Sequence, residues 1–491
     1  MATLVLRADG SAVGGILGRV GGMLGRAAGA SAGNMFDQRL FGDNSTRVVG
    51  YMEDLSVQTG SEGNPIPRTY GRMRLAGTVI WAPDFIEHVD TNRVGGKGGG
   101  GPKVREYTYS ANFAVGICEG VIGRIGRVWA DGEPLDLAKV THRVYTGTGD
   151  QPCDPLIEGW EGEAPAFRGL AYVVFEGLPL GANGNRLPQL NLEVVRPIGE
   201  LERQVRAVTL IPGATEFGYD PAAVTRELGP GEVVDDNRHL AIGVSDFETS
   251  VDELLAICPN LERVALVVAW FGDDLRAQNC TLTPRVEAPF RPTSIDWQVA
   301  GVDRSDARLV SVEDGHPSYG GTPNDASVVN AIQVLRSRGL KVTFYPFILM
   351  DVPSGNGLPD PYGAGEQPRH PWRGRITVSP AQGQPGTIDG TGAADAAIGN
   401  FVGAAQVSDF AISGESVAYS GSEEWTLRRM ILHYAHLCAA AGGVDAFLVG
   451  SELRGLSRSR GGAGYPFVDA LVALAGDVRG VRGASTKISY A

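Results

Sequence analysis

A chain of 491 residues that is 43% apolar and 20% charged can build several hydrophobic cores and is not globally disordered. Its formal net charge of −13 argues against a surface that grips nucleic acid through the phosphates, and suits a surface to which DNA does not adhere. Glycine, at 69 residues, is about twice its usual share, which points to many turns, close backbone approaches and long loops.

Residues 1–40 carry two interleaved rows of small residues: Gly14, Gly18 and Gly22, then Gly21, Gly25, Gly29 and Gly33. At helical periodicity such rows form a flat strip on which another backbone can lie closely. Glycine weakens an isolated helix by up to about 1 kcal/mol per residue relative to alanine, so a helix here needs a partner packed on it. Three readings stand: a flexible arm, a helix packed inside an oligomer, and a segment that inserts into a membrane. Arg19 and Arg26 interrupt the apolar character and count against a simple span. Gly14, Gly18, Gly22, Gly25, Gly29 and Gly33 are the candidate assembly residues.

From Val48 to about Arg196 the pattern is β-rich. "GRMRLAGTVIWA", "REYTYSANFAVGICEG", "IGRIGRVWADGEPL" and "GLAYVVFEGLPL" mix alternating, β-branched and aromatic residues. Asp131-Gly132 is a hairpin signal. The stretch "VGGKGGGGPKV" (94–104) reads as an exposed loop tip. It is not a phosphate loop, since it lacks a Lys-Ser/Thr ending and opens no helix. Tyr109, Phe113, Trp129 and Phe175 read as core aromatics.

The order of "PRTYG" (67–71), "YSANFAVGICEG" (109–120), "IGRVWADGEPL" (125–135) and "FRGLAYVVFEGLPLGANGNRLPQLNLEVVR" (167–196) is informative as a set, as is the "FDQRLFG" that closes the glycine rows. Together they resemble the tail-tip hub proteins of long-tailed phages and gene transfer agents. The likeness is greatest to the large baseplate protein of gene transfer agents, in which a barrel-like hydrolase domain follows the hub. The resemblance implies a virion structural role: a homotrimeric ring that closes the tail tube and contacts neighbouring distal-tail and hub proteins. It further implies cytoplasmic assembly, release on a particle's tail tip, and DNA passing through without specific binding. Periodicity alone says only that the region is β-rich.

After about residue 235, helices alternate with apolar strands. "TSVDELLAICPN" (249–260), "NDASVVNAIQVLRSRG" (324–339) and "SEEWTLRRMILHYAHLCAAAGG" (422–443) read as helices. "RVALVVAWFG" (263–272) and "LKVTFYPFILMD" (340–351) read as strands buried on both faces. "DALVALAGDVRGV" and "KISYA" add a helix and a strand. Strands near Val264, Leu309, Val342, Phe447 and Ile488 supply about five of the eight that a closed (β/α)8 barrel needs. Left open, the same alternation would be a doubly wound sheet. The pattern stops in mid-unit, so the barrel is expected to be cut from a longer protein or incomplete by design. The expected fold class is α+β multidomain: a glycine-zipper segment (1–40), β-rich tail-hub domains (41–230) and a partial, glycosidase-like (β/α)8 TIM-barrel-like domain (235–491).

In such barrels catalytic groups sit at the C-terminal ends of strands. "FLVGSEL" places Glu452 directly after the fourth strand, which looks like the position of the acid–base glutamate in barrel glycosidases. Glycoside hydrolysis needs a second carboxylate, about 5 Å away in retaining enzymes and roughly 6.5–9.5 Å in inverting ones, and in barrel glycosidases it comes from a later strand, expected beyond residue 491. Asp351 ends the third strand and is the weaker catalytic candidate, while Asp273 and Asp274 fit loop solvation. Trp270 and Trp372 are candidate sugar-stacking residues, and Trp270 fits core or barrel-mouth packing better. A host polysaccharide is therefore a possible partner, as a substrate or simply as a ligand. The Pro/Gly-dense stretch that follows Asp351 is too long for an ordinary loop and should emerge beside Glu452. His433 and His436 lie on a helix without a ligand partner at metal spacing. The cysteines Cys118, Cys153, Cys258, Cys280 and Cys438 are odd in number and scattered, so neither disulfides nor a metal site is expected. No cofactor, secretory signal or membrane span is expected either.

Overall fold

The structure, a computed structural model, describes residues 47–49, 65–93, 103–211 and 215–491. The glycine rows of residues 1–40, and the glycine-rich tip apart from its last two residues, lie outside the described residues.

The N-terminal body is a sandwich of two sheets. Its spine is the 17-residue strand Lys103–Glu119. This strand pairs antiparallel with Thr78–Trp81, Ile86–Arg93 and Leu170–Pro179, and parallel with Arg47–Val49. The second sheet runs Gly71–Ala76, Leu190–Arg196, Arg124–Ala130, Glu133–Leu135, all antiparallel. Strand residues alternate between faces, so Tyr109, Ala111, Phe113 and Val115 meet Ile125, Val128, Leu192 and Val194 in one core. Asp131 (φ 52°) and Gly132 (φ 92°) make the hairpin turn expected of them. Tyr109, Phe113 and Phe175 are buried as expected. Trp129 is not a core residue. It is one register step from Val128, which turns it to the outer face, where the Arg74 guanidinium lies 3.9 Å from its ring centroid.

The C-terminal body is built on a parallel sheet of β1 (Ala207–Leu210), β2 (Arg263–Gly272), β3 (Lys341–Met350), β4 (Ala446–Leu448) and β5 (Lys487–Ser489). Neighbours in the sheet are also successive in the chain, each parallel to the last. A doubly wound sheet reverses its order at a switch point. This one never does, so it is an arc of a (β/α)8-type barrel. Its helices are α1 (Asp246–Ile257), α2 (Asp325–Ser337), α3 (Gly392–Val402), α4 (Leu427–Ala440), α5 (Arg454–Arg458) and α6 (Pro466–Arg482). One face of the sheet, with Val268, Trp270, Phe344, Ile348 and Phe447, joins the helices in a single core. The other face presents Tyr345, Phe347, Leu349 and Leu448, which are only half-buried.

Two expectations about strands need correction. Leu309 belongs to a two-residue strand, Arg308–Leu309, which pairs with Arg285–Val286 outside the main sheet. The first barrel strand is instead β1, whose four residues are too few to show a period. The two changes cancel in the count, so Phe447 still lies on the fourth strand. Helix α4 starts at Leu427 rather than Ser422, because the Glu424 carboxylate accepts the Ala404 and Ala405 N–H groups and Thr426 takes the cap position.

The two bodies keep separate hydrophobic cores and meet along a polar seam. Arg124 donates to the Thr249 carbonyl (2.9 Å) and lies 3.8 Å from Glu253, which also pairs with Arg72. Arg238 pairs with Asp136 at 2.6 Å.

Within the sandwich, Asp154 caps the helix Pro155–Glu161 through the Leu156 N–H (2.9 Å) and accepts from Arg143 (2.7 Å) and the Tyr145 hydroxyl (2.9 Å). Its side chain is fully buried. Burial alone pushes this carboxyl's pKa up, but the three donors outweigh burial and hold it below the ordinary carboxylate range. A depressed carboxylate contributes stability above its unfolded pKa and loses it as pH falls through the folded value. Wild-type stability in chemical denaturation should therefore fall once pH drops below about 4, whereas Asp154→Asn should be less stable at neutral pH and show a shallower acid limb.

Candidate functional site

Beyond β4 the chain turns through Gly450 and Ser451 to Glu452. The Glu452 N–H donates to the Ala491 carbonyl (2.9 Å) and the Leu453 N–H to the Tyr490 hydroxyl (2.6 Å), which fastens this turn to the end of β5. A Cβ on Gly450 would lie 3.2 Å from the Tyr490 ring, so glycine permits that approach. Glu452 has φ 55°, a left-handed conformation that costs a non-glycine residue about 1–3 kcal/mol and persists where its surroundings over-determine it.

The long insertion after β3 supplies a hydrogen-bond donor and an ion-pair partner to this carboxylate. The Trp372 indole N–H donates to Glu452 Oε2 at 2.6 Å, and Arg373 Nη2 lies 3.1 Å from the same oxygen. Gly374 gives the indole room, since a Cβ there would come within 2.5 Å of the ring. The Arg373 side chain is 6% exposed. It donates to the Ser451 carbonyl (3.1 Å) and hydroxyl (3.0 Å), and lies 3.7 Å from the Phe347 ring centroid on the sheet's inner face. Burial pushes its pKa down, and the Glu452 charge pulls it back up.

Glu452 and Trp372 are thus brought together. The result is an exposed aromatic ring beside a half-exposed carboxylate at the end of a barrel strand. Such a pair can offer an apolar face and an acceptor to a polyhydroxylated ligand. Oε2 accepts the indole N–H and faces the Arg373 guanidinium, so the carboxylate also holds the insertion in place.

The other candidates lie elsewhere. Trp270 is fully buried against Trp425 and Tyr434, so it cannot stack on a sugar. It faces the helices because it follows Val264, Leu266 and Val268 in the period-two pattern. The Asp351 side chain has no exposure. Its Oδ2 accepts from Arg285 (2.6 Å) and the Ser311 N–H (2.8 Å), so this carboxylate anchors a loop instead of serving a mouth. Asp273 accepts from the Thr281 N–H and hydroxyl, and Asp274 from Arg276. His433 is a core residue bonded to Asp325 (3.0 Å), and His436 bonds the Leu432 carbonyl. Among the described residues, no group of three or more His, Cys, Asp or Glu could hold a metal ion, and no helix is long and apolar enough to cross a membrane. Sequence reasoning missed Arg373, because nothing local distinguishes it from the other arginines of the insertion.

Residues 425–491 match the family model described as the GTA TIM-barrel-like domain. That stretch holds α4, β4, Glu452, α6 and β5. Among solved structures the chain is similar to a chain of the virion of a native gene transfer agent particle, with 38% identity and a TM-score of 0.25, over 38% of this chain and 43% of that one. It is also similar to a GH113 β-1,4-mannanase, with 15% identity and a TM-score of 0.22, over 47% of this chain and 45% of that one. The chain therefore spans less than half the length of either. TM-scores this low carry no argument about fold, which rests here on strand order. No curated protein matches. The resemblance read from the sequence holds at the level of the domain: the chain carries a GTA TIM-barrel-like domain at residues 425–491.

Proposed function

We propose that the chain is a structural component of a phage-like particle, placed at its tail tip. In this reading the β-sandwich closes the tail tube as a trimeric ring and contacts neighbouring distal-tail and hub proteins. The barrel is carried outward, and host contact is coupled to DNA delivery. The observation that carries the reading is the GTA TIM-barrel-like domain at 425–491, lying behind a β-rich segment whose motifs run in hub order. The 38% identity to a virion chain supports it, and a net charge of −13 suits a passage through which DNA slides. Cryo-EM of purified particles should find a closed ring formed by residues 71–196 around the tube. A monomeric chain absent from the particle would overturn the hub.

A second reading has one observation in its favour, the exposed Trp372 bonded to Glu452. The barrel would then be a glycoside hydrolase acting on wall or capsule polysaccharide, with Glu452 as its acid/base. Asp351 is buried and its Oδ2 is held by Arg285 and the Ser311 N–H, so it is not a second carboxylate at the mouth, and we favour polysaccharide contact without cleavage. On this reading Glu452→Gln should leave sugar binding intact and remove no hydrolytic activity. Loss of a measurable hydrolytic activity in that variant would restore the enzyme. The same substitution removes the charge facing Arg373, and denaturant titration should show a cost of about 1–2 kcal/mol.

A further inference from the structure

The helices α2, α4 and α6 all end on the rim at the N-terminal ends of the barrel strands. Arginines stand at two of these ends: Arg336 in the last turn of α2, and Arg479 and Arg482 in the last turn of α6. Arg479 acts as a cap. Its guanidinium donates to the carbonyls of Gly483 (3.1 Å), Ala484 (3.2 Å) and Thr486. Arg336 and Arg482 do nothing comparable. Among the described residues neither guanidinium has a hydrogen-bond acceptor or an ion-pair partner, and Arg482 Nε is buried with none.

The two cations converge on the turn that follows α4. Gly442 (φ 81°) and Gly443 (φ 114°) form it. A Cβ on Gly442 would lie 3.2 Å from Arg336 Nη1, and one on Gly443 would lie 3.0 Å from Arg482 Nη2. Two adjacent glycines therefore make room for two guanidiniums. The N–H groups of Gly442 and Gly443 donate to the Ala439 and Cys438 carbonyls, so the end of α4 is already capped without the arginines. Burial pushes the Arg482 pKa down and Arg336 adds to that, with only Cys438 pulling the other way.

Arg263, Lys341 and Lys487, the first residues of β2, β3 and β5, stand on the same rim, also without an ion pair among the described residues. The acids nearby are engaged: Asp445 accepts the Val342 N–H (2.9 Å), and Glu262 pairs with Arg206 (3.0 Å). On a chain of net charge −13, this rim is a locally positive region.

We propose that Arg336 and Arg482 form a binding site for a phosphate-class oxyanion. Like charges held together, one of them partly desolvated, are unfavourable until an anion arrives between them. Guanidinium forks match the oxygens of a phosphate group in pairs. Two sources share this chemistry, free inorganic phosphate and the phosphodiester backbone of a nucleic acid.

The test uses the full chain. Calorimetric titration with inorganic phosphate, and separately with a short DNA duplex, is run in chloride at matched ionic strength. The Arg336→Gln/Arg482→Gln double variant should weaken phosphate binding by about tenfold or more, while Lys341→Gln on the same rim should change it by less than roughly threefold. Duplex binding with the same dependence on the arginine pair assigns the source to nucleic acid, and phosphate binding alone assigns it to the free ion. Equal binding by wild type and double variant, or no phosphate binding beyond chloride, overturns the site. In chloride the double variant should unfold no earlier than wild type, because it loses an unpaired, partly buried charge. Lost binding then cannot be lost fold.

Discussion

The C-terminal half depends on the contact between the sheet's outer face and α4. Phe344 stacks on Phe447 at 5.7 Å between ring centroids, Tyr434 of α4 lies 5.2 Å from Phe344, and Trp270 lies 6.0 Å from Tyr434. Each of these four side chains is fully buried. A parallel sheet must cover its faces, and aromatic rings cover the most area per residue. With this layer in place, the period of two assigns every other residue of the strands. It sends Trp270 into the core, leaves Phe347 on the inner face under Arg373, and delivers Glu452 to the mouth.

The mouth is correspondingly a joint product of distant segments. Glu452 arrives on the turn after β4, while Trp372 and Arg373 come from an insertion 80 and 79 residues earlier in the chain. Because the guanidinium is held by Ser451 and Phe347 as well as by Glu452, the insertion is pinned to the strand end instead of hovering over it. This is a specific polar fastening, and it uses the carboxylate as a structural acceptor.

What could be read from the sequence follows from which signals are local. The runs at 263–272 and 340–351 are long, apolar and β-branched, and both became ten-residue strands. The hairpin at Asp131-Gly132 was legible because its turn type demands those residues. β1 was not, since four residues with alternating half-burial look like any loop edge. Trp129 reads as core, and Trp270 as either core or sugar-stacking, for a shared reason. A tryptophan in a strand shows its face only once the register is known, and register is set by the partner strands. Glu452 was found through its place after an apolar run. Arg373 was invisible because its role is a contact made across the fold.

The separateness of the two hydrophobic cores has a consequence for biosynthesis. Every described strand of the sandwich core has been synthesised by Arg196, before β1 begins at Ala207. Domains generally fold as units during synthesis, N-terminal first. The sandwich can therefore close its core while the barrel is still being translated, and no residue of the later domain is needed to fill it. The ionic seam then forms last, between two already folded surfaces, so an error in the slower parallel sheet does not propagate back into the sandwich.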